Sequence, residues 1–266
     1  MGVYDPYFLT SQVYDKLYTL KIYIKDVEFV FDVRYNDKMS DYVLDKRLLI
    51  MYLEELIKLF YEVDGVERRR RVNIDYYPHK NRKKLPLKKN LTIGVEHVNS
   101  GYCYVNSGEQ DTNIVIFRTE EFFKVLVHEL IHLYKIVPND NDFDNHINLK
   151  YKLNNYILTN ESLVEINALI YNCIIIHKLT GKDLNNLISK EYRWSSNVLS
   201  NILKYYGSLN NWKENSNVFA YYYLKTLLLA FVMRKTKISQ LYINNSFRKN
   251  NSLKMTINDV NIFKIT

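Results

Sequence analysis

The stretch Glu120-Glu121-Phe122-Phe123-Lys124-Val125-Leu126-Val127-His128-Glu129-Leu130-Ile131-His132-Leu133-Tyr134 decides how the chain is read. It holds His-Glu-x-x-His inside a run that is otherwise almost entirely apolar. On an α-helix, positions i and i+4 lie one above the other, so His128 and His132 can hold one metal ion between them. Glu129 sits about 100° round the same helix, beside the metal rather than on it. That is where a general base for a metal-activated water belongs. Thr119 is placed to cap this helix, and Glu120 and Glu121 put negative charge at its start. The helix is therefore expected even without the motif.

The bland alternative is a core helix with two hydrogen-bonded histidines. Val125, Leu126, Val127, Leu130, Ile131 and Leu133 make the helix apolar nearly all round, so it should be buried. Burying a glutamate and two histidines without partners costs on the order of several kcal/mol. A bound metal offsets that cost.

The rest of the chain bounds what such a site can serve. At 266 residues it is one large domain or two small ones. Hydrophobic content of 47% and charged content of 25% describe a folded globular chain with ample core material. Only Cys103 and Cys173 are present, and the start is not of secretory type, so a reducing, cytoplasmic setting without a disulfide framework is expected. The longest greasy run, residues 218–233, contains Lys225 and three tyrosines and is too short and polar to cross a bilayer, so no transmembrane segment is expected.

The net charge of +8 is unevenly spread. Arg68-Arg69-Arg70-Arg71, then His79-Lys80-Asn81-Arg82-Lys83-Lys84, then Lys88-Lys89 form a dense basic segment. One reading is a patch for phosphate backbones or an acidic partner, giving weak, salt-dependent polyanion binding through Arg68–Lys89. The other is a solvated hairpin rim on a lysine-rich protein. The second is favoured because no base-reading motif accompanies the charge.

Leu20–Ile24 and Glu28–Val33 alternate with period two, as a half-buried hairpin does. Residues 41–62 carry apolar side chains at helical spacing. Arg71–Tyr77 alternates again, and Leu91–Val95, Gly101–Val105 and Asn113–Phe117 read as further strands, the last two parted by the turn signal Asn106-Ser107-Gly108. From residue 119 onward the pattern is helical. A strand-rich part (1–118, with one helix) followed by a helical part carrying the metal site (119–266) makes an α+β fold, expected to be one continuous catalytic domain.

This order of twisted sheet, exposed strand, last strand and His-Glu-x-x-His helix resembles the zincin metallopeptidases over about residues 70–180. His128, Glu129 and His132 match the shared motif residue by residue. The metzincin pattern needs Gly and His three and six residues after the second His, and those positions hold Lys135 and Pro138. The gluzincin pattern needs a Glu on a following helix with an acidic residue four places on, and Glu161 and Glu165 fit it. Ala168 and Asn172 continue that stripe.

The resemblance implies Zn2+ as cofactor, Glu161 as third ligand and Glu165 as an acceptor orienting His128. It also implies that Gly101, Tyr102, Cys103 and Tyr104 pair with an extended peptide or protein substrate. A phenol of Tyr221-Tyr222-Tyr223, chosen as Tyr222, would stabilise the oxyanion. His146, Asp142 and Asp144 remain rival third ligands, since Asp or His soon after the helix is chemically acceptable. His79, His97 and His177 are expected to be ordinary. The abundance of Asn, Ile, Lys and Tyr, with 24 tyrosines, resembles the proteins of large DNA viruses, which would place the chain in a host cell or virion. The competing function is a non-catalytic zincin-like module that keeps its metal for structure and binds an acidic partner or nucleic acid.

Overall fold

The computed structural model describes residues 14–36, 44–63, 66–79, 82–86, 88, 91–137, 141–153 and 156–235. It is a mixed α/β structure, strand-rich in its first half and helical in its second. The chain divides into two compact units: residues 1–84 with 95–135, and residues 85–94 with 136–266. The helix carrying His128 thus groups with the sheet, not with the helices that follow it, because it packs on the last strands.

In the first unit, β1 (Lys16–Ile24) and β2 (Val27–Tyr35) form the antiparallel hairpin expected from the alternation. The turn is Lys25-Asp26, with Lys25 in the left-handed region at φ 53°. Ile22, Ile24, Phe29, Phe31 and Val33 are buried. The intervening positions pair across the strands: Thr19 donates to Asp32 at 2.6 Å and Tyr23 to Glu28 at 2.7 Å.

α1 (Lys46–Phe60) falls inside the helix expected over 41–62, whose first three residues lie outside the described ones. Asp45 caps it by accepting from the Leu48 amide at 3.1 Å. It returns the chain so that β3 (Arg71–Tyr76) runs parallel to β2. After the short α2 (Val95–Val98) come β4 (Gly101–Cys103) and β5 (Ile114–Ile116). The sheet order is β1-β2-β3-β5-β4, with β5 parallel to β3, and β4 antiparallel to β5 at the edge. α3 (Phe122–Leu133) follows β5 directly. Its ring contacts Phe123–Tyr52 (4.4 Å) and Phe122–Tyr76 (4.7 Å) set it beside α1 on one face of the sheet.

The strand expected over Leu91–Val95 is not part of this sheet. Ile93 is buried in the second unit, where its amide donates to Lys213 O (3.0 Å), its carbonyl accepts from Asn215 (3.2 Å), and Val95 already begins α2. Its apolar residues signalled burial, but the partner lies 120 residues away.

The second unit continues with α4 (Asn141–Tyr151), α5 (Asn160–Thr180), α6 (Leu184–Tyr206), a π-helix (Phe219–Leu224) and α7 (Lys225–Lys235). Gly181, at φ 70°, ends α5, and Asp183 caps α6 through the Asn186 amide at 2.7 Å. Among the described residues α5 is long and apolar enough to cross a membrane, but 61% of that window is buried within the fold. That burial, and the two glutamates it carries, fit a core helix.

Trp212 is the hub of the second unit, with its ring 5.3 Å from Tyr206 and from Phe219. Its indole N–H donates to Glu214 at 2.7 Å, and the same carboxylate oxygen accepts the Phe219 amide at 2.7 Å. Burial pushes the Glu214 carboxyl up to about 7. The folded protein therefore holds this proton more tightly than the unfolded chain does. Stability from this group is full below its ordinary 4.5 and is lost as pH rises towards about 7, by up to about 3 kcal/mol. Glu214→Gln keeps an acceptor for both N–H groups, so it is expected to flatten the fall in unfolding free energy between pH 5 and 8. Denaturant titrations at both pH values check this, and an unchanged slope would contradict it.

Candidate metal centre

The entry to α3 differs from the capping expected of Thr119. Thr119 instead donates through its amide and hydroxyl to His79 O, at 3.1 and 3.2 Å. The cap position falls on Glu121, in the left-handed region at φ 59° with no side-chain capping bond. Its carboxylate is held by Lys83 (3.2 Å) and Lys124 (3.1 Å), while Glu120 accepts from the Lys83 amide at 3.1 Å. Arg118, 1% exposed, donates to the carbonyls of Asn99 (2.8 Å) and Glu96 (2.6 Å), fixing the chain just ahead of β4.

On α3, His128 and Glu129 are buried, as the apolar flanks required. The two Nε2 atoms of His128 and His132 stand 3.3 Å apart. Two nitrogens each about 2.0–2.1 Å from one tetrahedral ion would be about 3.3–3.4 Å apart. A hydrogen bond between the rings would be long at this separation. Glu161, in the first turn of α5, supplies the third group: one ligand atom each from His128, His132 and Glu161 lie within 4.8 Å of one another. Two imidazoles and a carboxylate could therefore hold a metal ion.

The rival ligands are accounted for differently. Asp144 is buried, but one of its oxygens accepts the Thr159 amide (2.7 Å) and hydroxyl (2.6 Å). Asn148 bridges to Ile157 in both directions, its amide donating at 2.9 Å and its oxygen accepting at 2.7 Å. Together they tie α4 to the residues just before α5 and so fix where Glu161 begins its helix. Asp142 is exposed, and His146 is half-buried outside the three-residue group. This tether was not legible in the sequence, where its only signal was an acid 15 residues before the Thr159-Asn160-Glu161 helix start.

Edge strand β4 touches the motif directly. A Cβ added to Gly101 would lie 2.8 Å from Val115 O, 2.9 Å from Val125 Cγ1 and 3.2 Å from Glu129 Oε1. The position thus needs glycine for close approach to α3. Gly101→Ala is expected to destabilise the protein by about 1–3 kcal/mol through overpacking. A melting temperature equal to wild type would show that the strand has room to move. Tyr102, half-buried, packs edge-on against Tyr104 at 5.4 Å. Cys103 and Cys173 are not joined in a disulfide, and Cys173 is buried.

Glu165 lies one turn beyond Glu161 and is buried, with Lys225 Nζ 3.3 Å from its Oε1. Tyr222 is buried in the π-helix, its ring centre 5.4 Å from the same ammonium. Of the other histidines, His177 bonds the Lys182 carbonyl (2.6 Å) and His97 lies 3.1 Å from Glu96. His79 is buried, and burial lowers its pKa.

Part of the basic segment is turned onto the fold, while Arg70, Arg82, Lys84 and Lys88 are exposed. Arg68 covers the Tyr61 ring at 4.8 Å, and buried Arg69 donates to Val105 O at 3.0 Å. Arg71 bonds Asn73 at 2.9 Å and faces Glu28 at 3.5 Å. Lys80 and Lys89 lie outside the described residues.

No protein-family model, no curated protein and no solved structure matches the chain.

Proposed function

We propose that the chain is a zinc-dependent metallopeptidase with a zincin-like fold of the gluzincin type. The observation that carries this reading is the convergence of His128, His132 and Glu161 with buried Glu129 next in sequence to the first ligand. The order of the last strands supports it, since an antiparallel edge strand leans on the motif helix beside Glu129. Two imidazole nitrogens and one carboxylate leave an open position, which suits catalytic zinc better than a closed structural site.

His128, His132 and Glu161 would hold the zinc ion, which would supply Lewis acidity and lower the pKa of a water towards about 7. The chain's own groups do the rest. His128 and His132 offer Nε2, which leaves Nδ1–H to be oriented, and Glu165 is the acceptor we assign to His128. Glu129 takes the proton of the attacking water and passes it to the leaving amine. A peptide laid along β4, the outermost strand of the described sheet, would present its backbone next to Glu129 by β-augmentation. Tyr222 is the phenol we assign to the oxyanion.

The test needs no known substrate. Zinc-loaded protein is incubated with a diverse peptide library, and new termini are read by mass spectrometry. Cleavage that disappears with a chelator and returns with zinc is expected. No cleavage by the fully loaded protein across a broad library would point instead to a non-catalytic metal-binding module.

A further inference from the structure

Lys225 is the most deeply buried cation in the second unit among the described residues, at 1% exposure. Its ammonium lies 3.3 Å from Glu165 Oε1, itself buried, and 5.5 and 5.4 Å from the ring centres of Trp194 and Tyr222. A lysine interrupting a greasy run thus ends in an aromatic-walled pocket against one carboxylate. That carboxylate stands one helical turn from Glu161 on the same face of α5.

Two hydrogen bonds brace the backbone that leads into this lysine. Lys225 is the first residue of α7, at the junction where the π-helix Phe219–Leu224 returns to α-helix. π-Helical turns widen the backbone ladder and recur at functional sites. Here the start of the wide segment is held by Glu214 on the Phe219 amide (2.7 Å), and its end by the Thr226 hydroxyl on the Tyr222 carbonyl (2.6 Å). Stability is a weak reason for such a pair, because replacing a buried ion pair by apolar groups is often neutral or favourable.

We propose that Lys225 is a positioning residue for the metal-binding face of α5, acting through Glu165. The inference rests on the metal reading above. Lys225 neutralises the Glu165 carboxylate, occupies one of its oxygens and fixes its orientation. A carboxylate fixed in this way holds the turn of α5 that carries Glu161. Removing the ammonium leaves the ligands in place and their alignment loose.

The experiment is a double-mutant cycle on zinc affinity, measured by competition with a chromophoric chelator. The set is wild type, Lys225→Met, Lys225→Arg, Glu165→Gln and the Glu165→Gln/Lys225→Met double variant. Lys225→Met is expected to weaken zinc binding about 10- to 100-fold, the range for partners that orient ligands. Lys225→Arg, which keeps the charge, should recover most of it. The double variant should bind zinc no more weakly than Glu165→Gln alone, because the lysine has lost the group it acts through.

Losses that simply add, or a folded Lys225→Met protein with wild-type affinity, would overturn the role of Lys225 while leaving the metal site standing. A wild type that binds no zinc would overturn the metal reading and this role together. If Lys225→Met fails to fold around an unpaired buried carboxylate, the double variant, which carries neither charge, is compared with Glu165→Gln and wild type. A loss beyond Glu165→Gln sinks the proposal, as does a Glu165→Gln protein that binds zinc like wild type; a weakened Glu165→Gln matched by the double variant supports it. A purely structural lysine would move the melting temperature of the metal-free protein and not the cycle.

Discussion

His128→Ala and His132→Ala are each expected to lose the bound zinc, from about one ion per chain to a trace, on the three-ligand reading. Each substitution removes one of three ligands and leaves a cavity where a ring stood. The expected loss of affinity exceeds the about 10- to 100-fold that ligand-orienting partners contribute. Glu161→Ala should weaken binding less completely, because both helix-borne nitrogens remain at their 3.3 Å spacing. His146→Ala should leave zinc unchanged, as that residue lies outside the group. Metal analysis after equilibrium dialysis, with circular dichroism to confirm folding, reads all four. Stoichiometric zinc in folded His128→Ala would remove the proposed site.

What could be read from the sequence was mostly local. The hairpin, α1, β3 and the last two strands announce themselves by period, and His128, Glu129 and His132 by an offset that one helix enforces. Glu161 was legible only through its spacing to Glu165, for the 28 residues between His132 and Glu161 carry no periodic signal across α4. Misread features share one cause, a long-range partner. Thr119 looks like a cap, but His79, 40 residues earlier, takes its hydroxyl. Leu91–Val95 looks like a sheet strand, yet Ile93 pairs with the chain around Glu214.

Lys225 looked like an interruption of an apolar run, because its carboxylate partner is 60 residues away. The basic segment shows the same limit. A run of four arginines reads as one patch, but the fold sends Arg68 to an aromatic ring, Arg69 into a loop and Arg71 to a neighbouring strand. Charge density along a sequence therefore reaches the surface only in part, as Arg70 does, when flanking strands and loops absorb the rest.

Glu129→Gln should separate an enzyme from a metal-binding module most sharply. Glutamine keeps the size and hydrogen-bonding shape of glutamate, so it fits the space where Glu129 Oε1 meets the Gly101 approach. Fold and zinc content should both survive. An amide, however, cannot accept a proton from water at neutral pH. Loss of general-base assistance typically costs about 10²- to 10⁴-fold in rate, equivalent to about 3–5 kcal/mol of barrier. The variant should therefore be nearly inactive with a full metal complement. Glu165→Gln should lose activity less steeply and in step with its weakened zinc affinity. The comparison uses the same peptide library, with zinc content measured on the same samples. Equal cleavage by wild type and Glu129→Gln would show that Glu129 is not the base. An inactive variant that had also lost its zinc would instead place Glu129 among the groups that hold the metal.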